Sequence, residues 1–166
     1  MDDVVAWFEE ILTLRYAALR TRADEPEYTD YAAAVERHNA RCLKDAVDPV
    51  LTNRDEDDEE DDLARYKRQG KKLTPMVALA VAHRGGDKYT FVTSSDKARG
   101  AGRVPSWEHH VEKIAGEWKL VGISSRSKGG IYCGARHDDP IRETRQLNSD
   151  QLREDHADYP GEVEVG

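Results

Sequence analysis

The chain has 166 residues, of which 38% are hydrophobic and 35% charged, and its formal net charge is −8. This length suits one domain with a compact core, while much of the chain must stay in contact with solvent. No stretch approaches the roughly 20 consecutive apolar residues of a membrane-spanning helix, and the acidic start Met1-Asp2-Asp3 is unlike a secretory signal. We therefore expect a cytoplasmic protein that does not bind membranes.

The first predicted element is an amphipathic helix that begins near Asp2. Its apolar residues recur at three- and four-residue steps, and acidic residues at its start suit the helix dipole. The sequence Ala23-Asp24-Glu25-Pro26 interrupts this pattern. A second helix is expected from about Tyr28 to Val47, since Pro49 cannot continue it. Its predicted buried stripe consists of Tyr31, Val35, Cys42, Leu43 and Val47.

An uninterrupted acidic run follows the second predicted helix. Because eight like charges repel one another and bury nothing, we expect residues 53–62 to form a solvated loop. The chain has 33 acidic and 25 basic residues, so these eight account for the whole negative excess. The neutral remainder argues against general binding to nucleic acids or to a membrane surface. The acidic run consists of Asp55, Glu56, Asp57, Asp58, Glu59, Glu60, Asp61 and Asp62.

Beyond Thr74 the period changes from that of a helix to the two-residue alternation of strands. Met76–His83 is a near-continuous apolar run, which predicts an interior strand. We expect Val77, Leu79 and Val81 on one face and three alanines on the face where a helix lies close. A returning strand is predicted over Lys88–Ser94, and a later strand over Gly129–Ala135.

The segment Trp107–Arg126 predicts a β-hairpin that reverses at Ala115-Gly116. Folding it there places Glu112 opposite Lys119 as an ion pair, and Val111 opposite Leu120 on the other face. Large aromatic residues, a histidine and a glycine on the second of these faces are typical of a concave sheet that holds or closes a pocket. The predicted pocket residues are Trp107, His109, Trp118 and Gly122.

Helices followed by antiparallel strands indicate an α+β fold. The helical sequence VVAWFEEILTLRYAAL, Val4–Leu19, and the late hairpin WEHHVEKIAGEWKLVGISSR together resemble the nuclear transport factor 2-like (NTF2-like) superfamily. The resemblance implies N-terminal helices packed into a highly curved antiparallel sheet, forming a cone with an open mouth. We expect one such domain over residues 1–137, and a polar, poorly anchored tail over residues 138–166.

Candidate chemistry centres on His109, because His110 must point to the opposite face of the same strand. In enzymes that resemble this fold, a pocket histidine paired with an aspartate often acts as the general base. Asp30, Asp45 and Asp48 are the open choices for that partner. The sequence contains no spacing typical of a metal site or cofactor cradle, so we expect neither metal nor cofactor. Cys42 and Cys133 are expected to be reduced thiols.

Several bacterial immunity protein families resemble this superfamily and neutralise toxins without a catalytic set. A dense anionic segment could occupy a basic cleft that normally holds phosphates. We therefore predict a cytoplasmic immunity protein whose acidic run binds a cognate, nuclease-like toxin with a basic surface, with Tyr66 and Trp107 as aromatic anchors. The alternative is a small cyclase- or dehydratase-like pocket enzyme, or a small-molecule binder, that uses His109. A third expectation is a scaffolding domain, and a homodimer through the sheet face is also expected from the resemblance.

Overall fold

The computed structural model describes residues 1–24, 28–43, 76–95, 106–125 and 131–148. Within these ranges two helices precede six strands, so the predicted α+β order is confirmed. Neither of these helices is both long and apolar enough to cross a membrane. The elements are α1 (Asp2–Asp24), α2 (Tyr28–Asn39), β1 (Met76–His83), β2 (Lys88–Ser95), β3 (Ser106–Ile114), β4 (Glu117–Ser125), β5 (Ile131–Gly134) and β6 (Glu143–Gln146).

Helix α1 forms the main core with one face of the sheet. Its i, i+4 and i+7 positions place an apolar stripe on one side, and that stripe is buried. The stripe packs against apolar side chains from four strands, and each fully buried side chain of this size contributes roughly 1.5–3 kcal/mol through transfer from water. The core cluster contains Val4, Phe8, Ile11, Leu12, Cys42, Ala78, Val81, Phe91, Val111, Leu120 and Ile123.

Helix α2 is shorter than predicted and ends at Asn39. The backbone of Leu120 in β4 accounts for this end, because its N–H donates to the Arg41 carbonyl and its carbonyl accepts from the Leu43 N–H, both at 2.9 Å. Residues 41–43 are therefore held alongside β4 as an isolated parallel bridge centred on Cys42. The predicted continuation of the helix is wrong over residues 40–43, and Leu43 is exposed rather than part of a buried stripe. Val47 lies outside the described residues.

The six strands form one antiparallel sheet in the order β5-β4-β3-β2-β1-β6. Strands β1 to β5 follow one another as a meander, and β6 returns to pair with the far side of β1. The sheet is therefore open, with β5 and β6 at its edges. Residues 138–148 were predicted to belong to a poorly anchored tail, but β6 pairs with β1 and the Leu147 N–H donates to the Leu79 carbonyl at 2.7 Å.

The β3–β4 hairpin has the predicted turn and register. Ala115 and Gly116 both have positive φ, 52° and 81°, as a tight type I′-like reversal requires. Val111 lies opposite Leu120, and Glu112 lies opposite Lys119. The Lys119 ammonium makes other contacts than the predicted pair with Glu112: it donates to the Ala40 carbonyl at 2.8 Å and lies 3.6 Å from the Glu117 carboxylate.

Irregularities in β1 and at the β3–β4 pairing change which side chains share a face. The register shift between Ala78 and Ala80 places Ala78 and Val81 in the α1 core, while Leu79 and Ala80 pack with Val92 in a separate cluster. The predicted division of β1 into a large-residue face and an alanine face is therefore wrong. A strict two-residue period does not hold across a bulge, because the extra residue turns the following side chains over.

Candidate functional site

Three of the four predicted pocket residues lie on the face of the sheet that α1 covers. Trp107 and Trp118 are half-buried and pack against the core cluster, and His109 is 3% exposed. The ring of Phe8 stacks on Phe91 with centroids 4.0 Å apart and meets the His109 ring edge-on at 5.3 Å. Phe8 of α1 therefore packs directly against the imidazole of His109, the residue on which the predicted pocket chemistry depends.

The fourth predicted pocket residue, Gly122, lies on the opposite face. The register shift after His110 pairs His110 with Gly122 and His109 with Ile123, so Ile123 takes the core position that alternation assigns to Gly122. A Cβ atom on Gly122 would lie 1.8 Å from the Ala135 carbonyl oxygen. Glycine is needed here because the backbone of the following segment passes directly against it. The assignment of Gly122 to the same face as His109 is wrong.

A buried polar cluster occupies the face opposite α1, and we define it as Thr90, His110, Ser124 and His137. His110 is fully buried at its centre. Its Nδ1 lies 3.2 Å from Thr90 Oγ1 and 3.4 Å from the His137 backbone N–H, while its Nε2 lies 3.0 Å from Ser124 Oγ. The two histidine rings meet edge to face with centroids 5.5 Å apart.

The direction of these hydrogen bonds is set by Arg84. Its Nε donates to Thr90 Oγ1 at 2.7 Å, so the Thr90 hydroxyl is left to donate its own hydrogen to His110 Nδ1. Because the His137 N–H also points at Nδ1, that nitrogen is the acceptor and the proton lies on Nε2, directed toward Ser124 Oγ. Ser124 accepts from the imidazole in this tautomer, which is the reverse of what an activated serine nucleophile needs.

Burial keeps the imidazole of His110 neutral. It lowers the pKa of His110 from 6.5 to about 3, assisted by the positive charge that His137, His109, Arg84 and Arg136 can carry. Burial likewise lowers the pKa of His137, although its Nε2 donates to the Val111 carbonyl at 3.2 Å. The Glu108 carboxylate lies 3.9 Å from His110 Nε2 and opposes this effect, but burial is the larger influence and keeps His110 neutral within the hydrogen-bonded cluster.

A segment that we call the strap, residues 135–142, joins β5 to β6 and covers this polar cluster. It contacts the intervening strands in turn: the Ala135 N–H donates to the Val121 carbonyl on β4 at 2.7 Å, and His137 reaches Val111 on β3. At the far end, Arg84 Nη1 donates to the Asp139 carbonyl at 2.7 Å, and Lys88 lies 3.4 Å from the Asp139 carboxylate. The strap thus fixes the short edge strand β6 to the sheet.

A second feature, the aromatic row, lies at the turn end of the sheet on the α1 face and consists of His83, Tyr89 and Trp118. The rings of His83 and Tyr89 stack with centroids 4.7 Å apart, and Tyr89 meets Trp118 edge-on at 5.6 Å. All three side chains are half-buried. The row therefore presents ring surface to solvent while it is supported from below by the core.

The other predicted site residues lie outside the described residues. These comprise the whole acidic run and Tyr66, and the proposed acid partners Asp45 and Asp48, together with the side chain of Asp30. In the part of the chain that is described, no group of three or more metal-ligating side chains comes together. Cys42 and Cys133 are not joined by a disulfide; Cys42 belongs to the core cluster and Cys133 packs against it.

Sequence reasoning missed both the polar cluster and the aromatic row. Part of the signal for the polar cluster was present in β2 and β3, because Thr90 and His110 alternate with the core residues Phe91 and Val111. Ser124 joins them only through the register shift in the β3–β4 pairing, which alternation does not reveal. The strap and β6 have no such signal, since their residues are mostly polar. Tyr89 was assigned to a strand, but its ring neighbours depend on register across three strands.

Comparisons with protein-family models, with curated proteins and with solved structures found no match to this chain. The resemblance to the NTF2-like superfamily therefore stays a prediction.

Proposed function

We propose that this protein binds a basic protein partner through its acidic run, residues 55–62, in the manner of an immunity protein that neutralises a nuclease-like toxin. The observation that carries this proposal is the placement of charge. Eight consecutive carboxylates account for the entire net charge of −8, while the rest of the chain is balanced. Such a concentrated anionic segment accelerates encounter with a basic surface and disfavours nucleic acid as a partner.

The way the run is joined to the fold supports this role. The connection that contains it starts directly after Leu43, whose N–H is bonded to Leu120 on β4, and it ends directly before Met76, the first residue of β1. Both ends of the connection are thus tied to the sheet. A partner that binds the run is therefore held next to this domain, because both ends of the connection that carries the run are anchored on the sheet.

We propose further that the α+β domain is a cone of the NTF2-like kind. The packing of α1 across one face of an antiparallel sheet with several register shifts supports this, since bulges increase the twist and curvature of a sheet. We rank partner binding ahead of the pocket-enzyme alternative because Phe8 of α1 packs over the neighbouring rings of Phe91 and His109, in the space that a substrate would need.

The test uses the purified product of the adjacent gene as the candidate toxin, and compares two variants that each remove four charges. In the test variant, Asp55→Asn, Glu56→Gln, Asp57→Asn and Asp58→Asn halve the charge of the run. In the matched control, four exposed carboxylates elsewhere are neutralised. These control changes are Glu10→Gln, Glu36→Gln, Glu117→Gln and Asp138→Asn.

Association rates are measured at about 50 mM and 300 mM salt, where screening of exposed charges differs strongly. We expect the test variant to associate about tenfold more slowly at low salt and to lose most of its salt dependence, whereas the control stays within about twofold of the parent. Equal association rates for the two variants, or the absence of any complex with the toxin, would reject this function.

A further inference from the structure

The aromatic row continues across the sheet into an acidic edge. Glu143 of β6 lies directly opposite His83 of β1, and His83 lies opposite Tyr89 of β2. Residues that are opposite one another in neighbouring strands point to the same face, so the Glu143 carboxylate, the His83 ring and the Tyr89 ring follow one another along a single line. Trp118 on β4 lies beside this line, opposite Lys113 of β3, and its ring meets Tyr89 edge-on.

The ring surface of this row already contacts a cation of the same chain. The Lys113 ammonium lies 5.2 Å from the centroid of the Trp118 ring, within the range of a cation–π interaction. Lys113 is exposed and its side chain is long, so this ammonium can leave the ring at little cost. The contact shows that the Trp118 ring has a face suited to positive charge.

Exposed carboxylates lie on the edge strand next to His83, in the turn before Tyr89 and at the start of α1. Glu143 and Asp87 are exposed, and Asp3 at the start of α1 is 69% exposed, with its carboxylate 3.7 Å from the Met1 ammonium. Asp87 lies in the turn that precedes Tyr89, and its carbonyl accepts from the Lys113 N–H at 3.2 Å. Burial, followed by the negative charges of Asp3, Asp87 and Glu143, raises the pKa of the Tyr89 phenol. The pairing of Glu143 with His83, and of His83 with Tyr89, is the geometric link between this acidic edge and the rings.

From this geometry we infer that the aromatic row, with Asp3, Asp87 and Glu143 at its margin, receives an arginine side chain of the basic partner. A guanidinium group can stack on Tyr89 or Trp118 through its plane while its N–H groups bind a carboxylate at the edge, and lysine cannot do both. The inference deepens the proposed function and rests on it, because it assigns a second contact to the same basic partner.

The experiment uses the full chain with all eight residues of the acidic run changed to Asn or Gln, so that peptide cannot bind there. Acetyl-(Gly-Arg)₃-amide is titrated into this ¹⁵N-labelled chain, and the same peptide with citrulline in place of arginine serves as the uncharged analogue. We expect the indole N–H of Trp118 and the backbone N–H of Tyr89 to shift with the arginine peptide and not with the citrulline peptide.

Two pairs of variants make the assignment specific. Asp87→Asn with Glu143→Gln should weaken peptide binding about fivefold, whereas Glu36→Gln with Asp138→Asn, which also removes two exposed charges, should change it less than twofold. Tyr89→Leu should weaken binding about threefold or more, whereas Tyr16→Leu, which removes a half-buried tyrosine from the second half of α1, should not.

Shifts that are absent or equal for both peptides, or equal losses in test and control variants, would overturn the inference. Shifts at Trp118 that appear on concentrating the protein without peptide would instead identify a second copy of the chain as the occupant. Because the acidic run is neutral in this experiment, its result is independent of whether the run binds a toxin.

Discussion

Thr90 and His110 face each other across β2 and β3, with the Thr90 hydroxyl oxygen 3.2 Å from Nδ1 of the imidazole. The same oxygen accepts from Arg84 Nε at 2.7 Å, so one hydroxyl group joins a guanidinium to a buried histidine. Both Thr90 and His110 are almost completely inaccessible to solvent. A polar group that loses its partner in such a place has no water to replace it.

Thr90→Val should therefore be costly although the two side chains have the same shape. The valine leaves the Arg84 N–H and His110 Nδ1 each without the hydroxyl, and we expect the free energy of unfolding to fall by about 2–3 kcal/mol. Thr90→Ser keeps the hydroxyl and loses one methyl group, which costs about 1 kcal/mol. Urea denaturation of both variants checks this, and a valine variant as stable as the serine variant would contradict the assigned hydrogen bonds.

The buried imidazole also makes stability depend on pH. The pKa of His110 is about 3 in the fold and 6.5 as the ordinary value, so between these limits the unfolded chain binds one more proton than the folded chain. The contribution of neutral His110 to the free energy of unfolding is fully present above pH 6.5 and is lost progressively as the pH falls toward 3. Between pH 7 and pH 5 we expect the free energy of unfolding to fall by about 2 kcal/mol from this group.

Two variants at the polar cluster identify His110 as the source of that dependence. His110→Gln removes the titrating group. Between pH 7 and pH 5 the fall in unfolding free energy should therefore be about 2 kcal/mol smaller for this variant than for the parent. Ser124→Ala removes a hydrogen-bond partner but retains the imidazole, so it should lower stability while the slope with pH persists. Identical slopes for the parent and His110→Gln, measured by urea denaturation, would refute the assignment.

The contact between Gly122 and the strap predicts a severe effect from a single methyl group. Gly122→Ala forces the Ala135 backbone away from β4, because backbone atoms cannot move aside as a flexible side chain does. We expect a loss of about 3 kcal/mol in unfolding free energy, together with faster amide exchange at residues 135–148. Gly86 provides the comparison: it has a φ of 56° with open space around it, and asparagine tolerates that conformation.

The Gly86→Asn variant should therefore lose less than about 1 kcal/mol. If Gly122→Ala were equally mild, the close passage of the strap over β4 would be wrong.

The β3–β4 hairpin was predictable to the residue because its information is local. The turn at Ala115-Gly116 and the pairing of Val111 with Leu120 depend on a short stretch of sequence and on strict alternation. The prediction failed at the next step, where the bulge after His110 moves Gly122 to the other face. A bulge inserts one residue without changing composition, so hydrophobic alternation alone does not locate it.

Strand β6 was missed for a different reason. Its sequence Glu143-Thr144-Arg145-Gln146 is polar because it lies at the edge of the sheet, and its pairing with β1 depends on residues about 60 positions earlier in the chain. The end of α2 is another long-range effect, since Leu120 binds the backbone of residues 41–43. Helical period alone therefore extended that helix too far.

The packing of Phe8 gives the last prediction, which concerns the core next to His109, where the alternative hypothesis places a substrate pocket. Phe8 is fully buried, stacks on Phe91 and meets the edge of His109. Phe8→Ala leaves a cavity at the centre of the interface between α1 and the sheet, and should lower the free energy of unfolding by about 3–5 kcal/mol. Ala6→Gln, on the exposed side of the same helix, should change it by less than about 0.5 kcal/mol. A Phe8→Ala variant that loses less than about 1 kcal/mol in chemical denaturation would mean that α1 does not fill this face of the sheet, and the pocket-enzyme alternative would then regain the space beside His109.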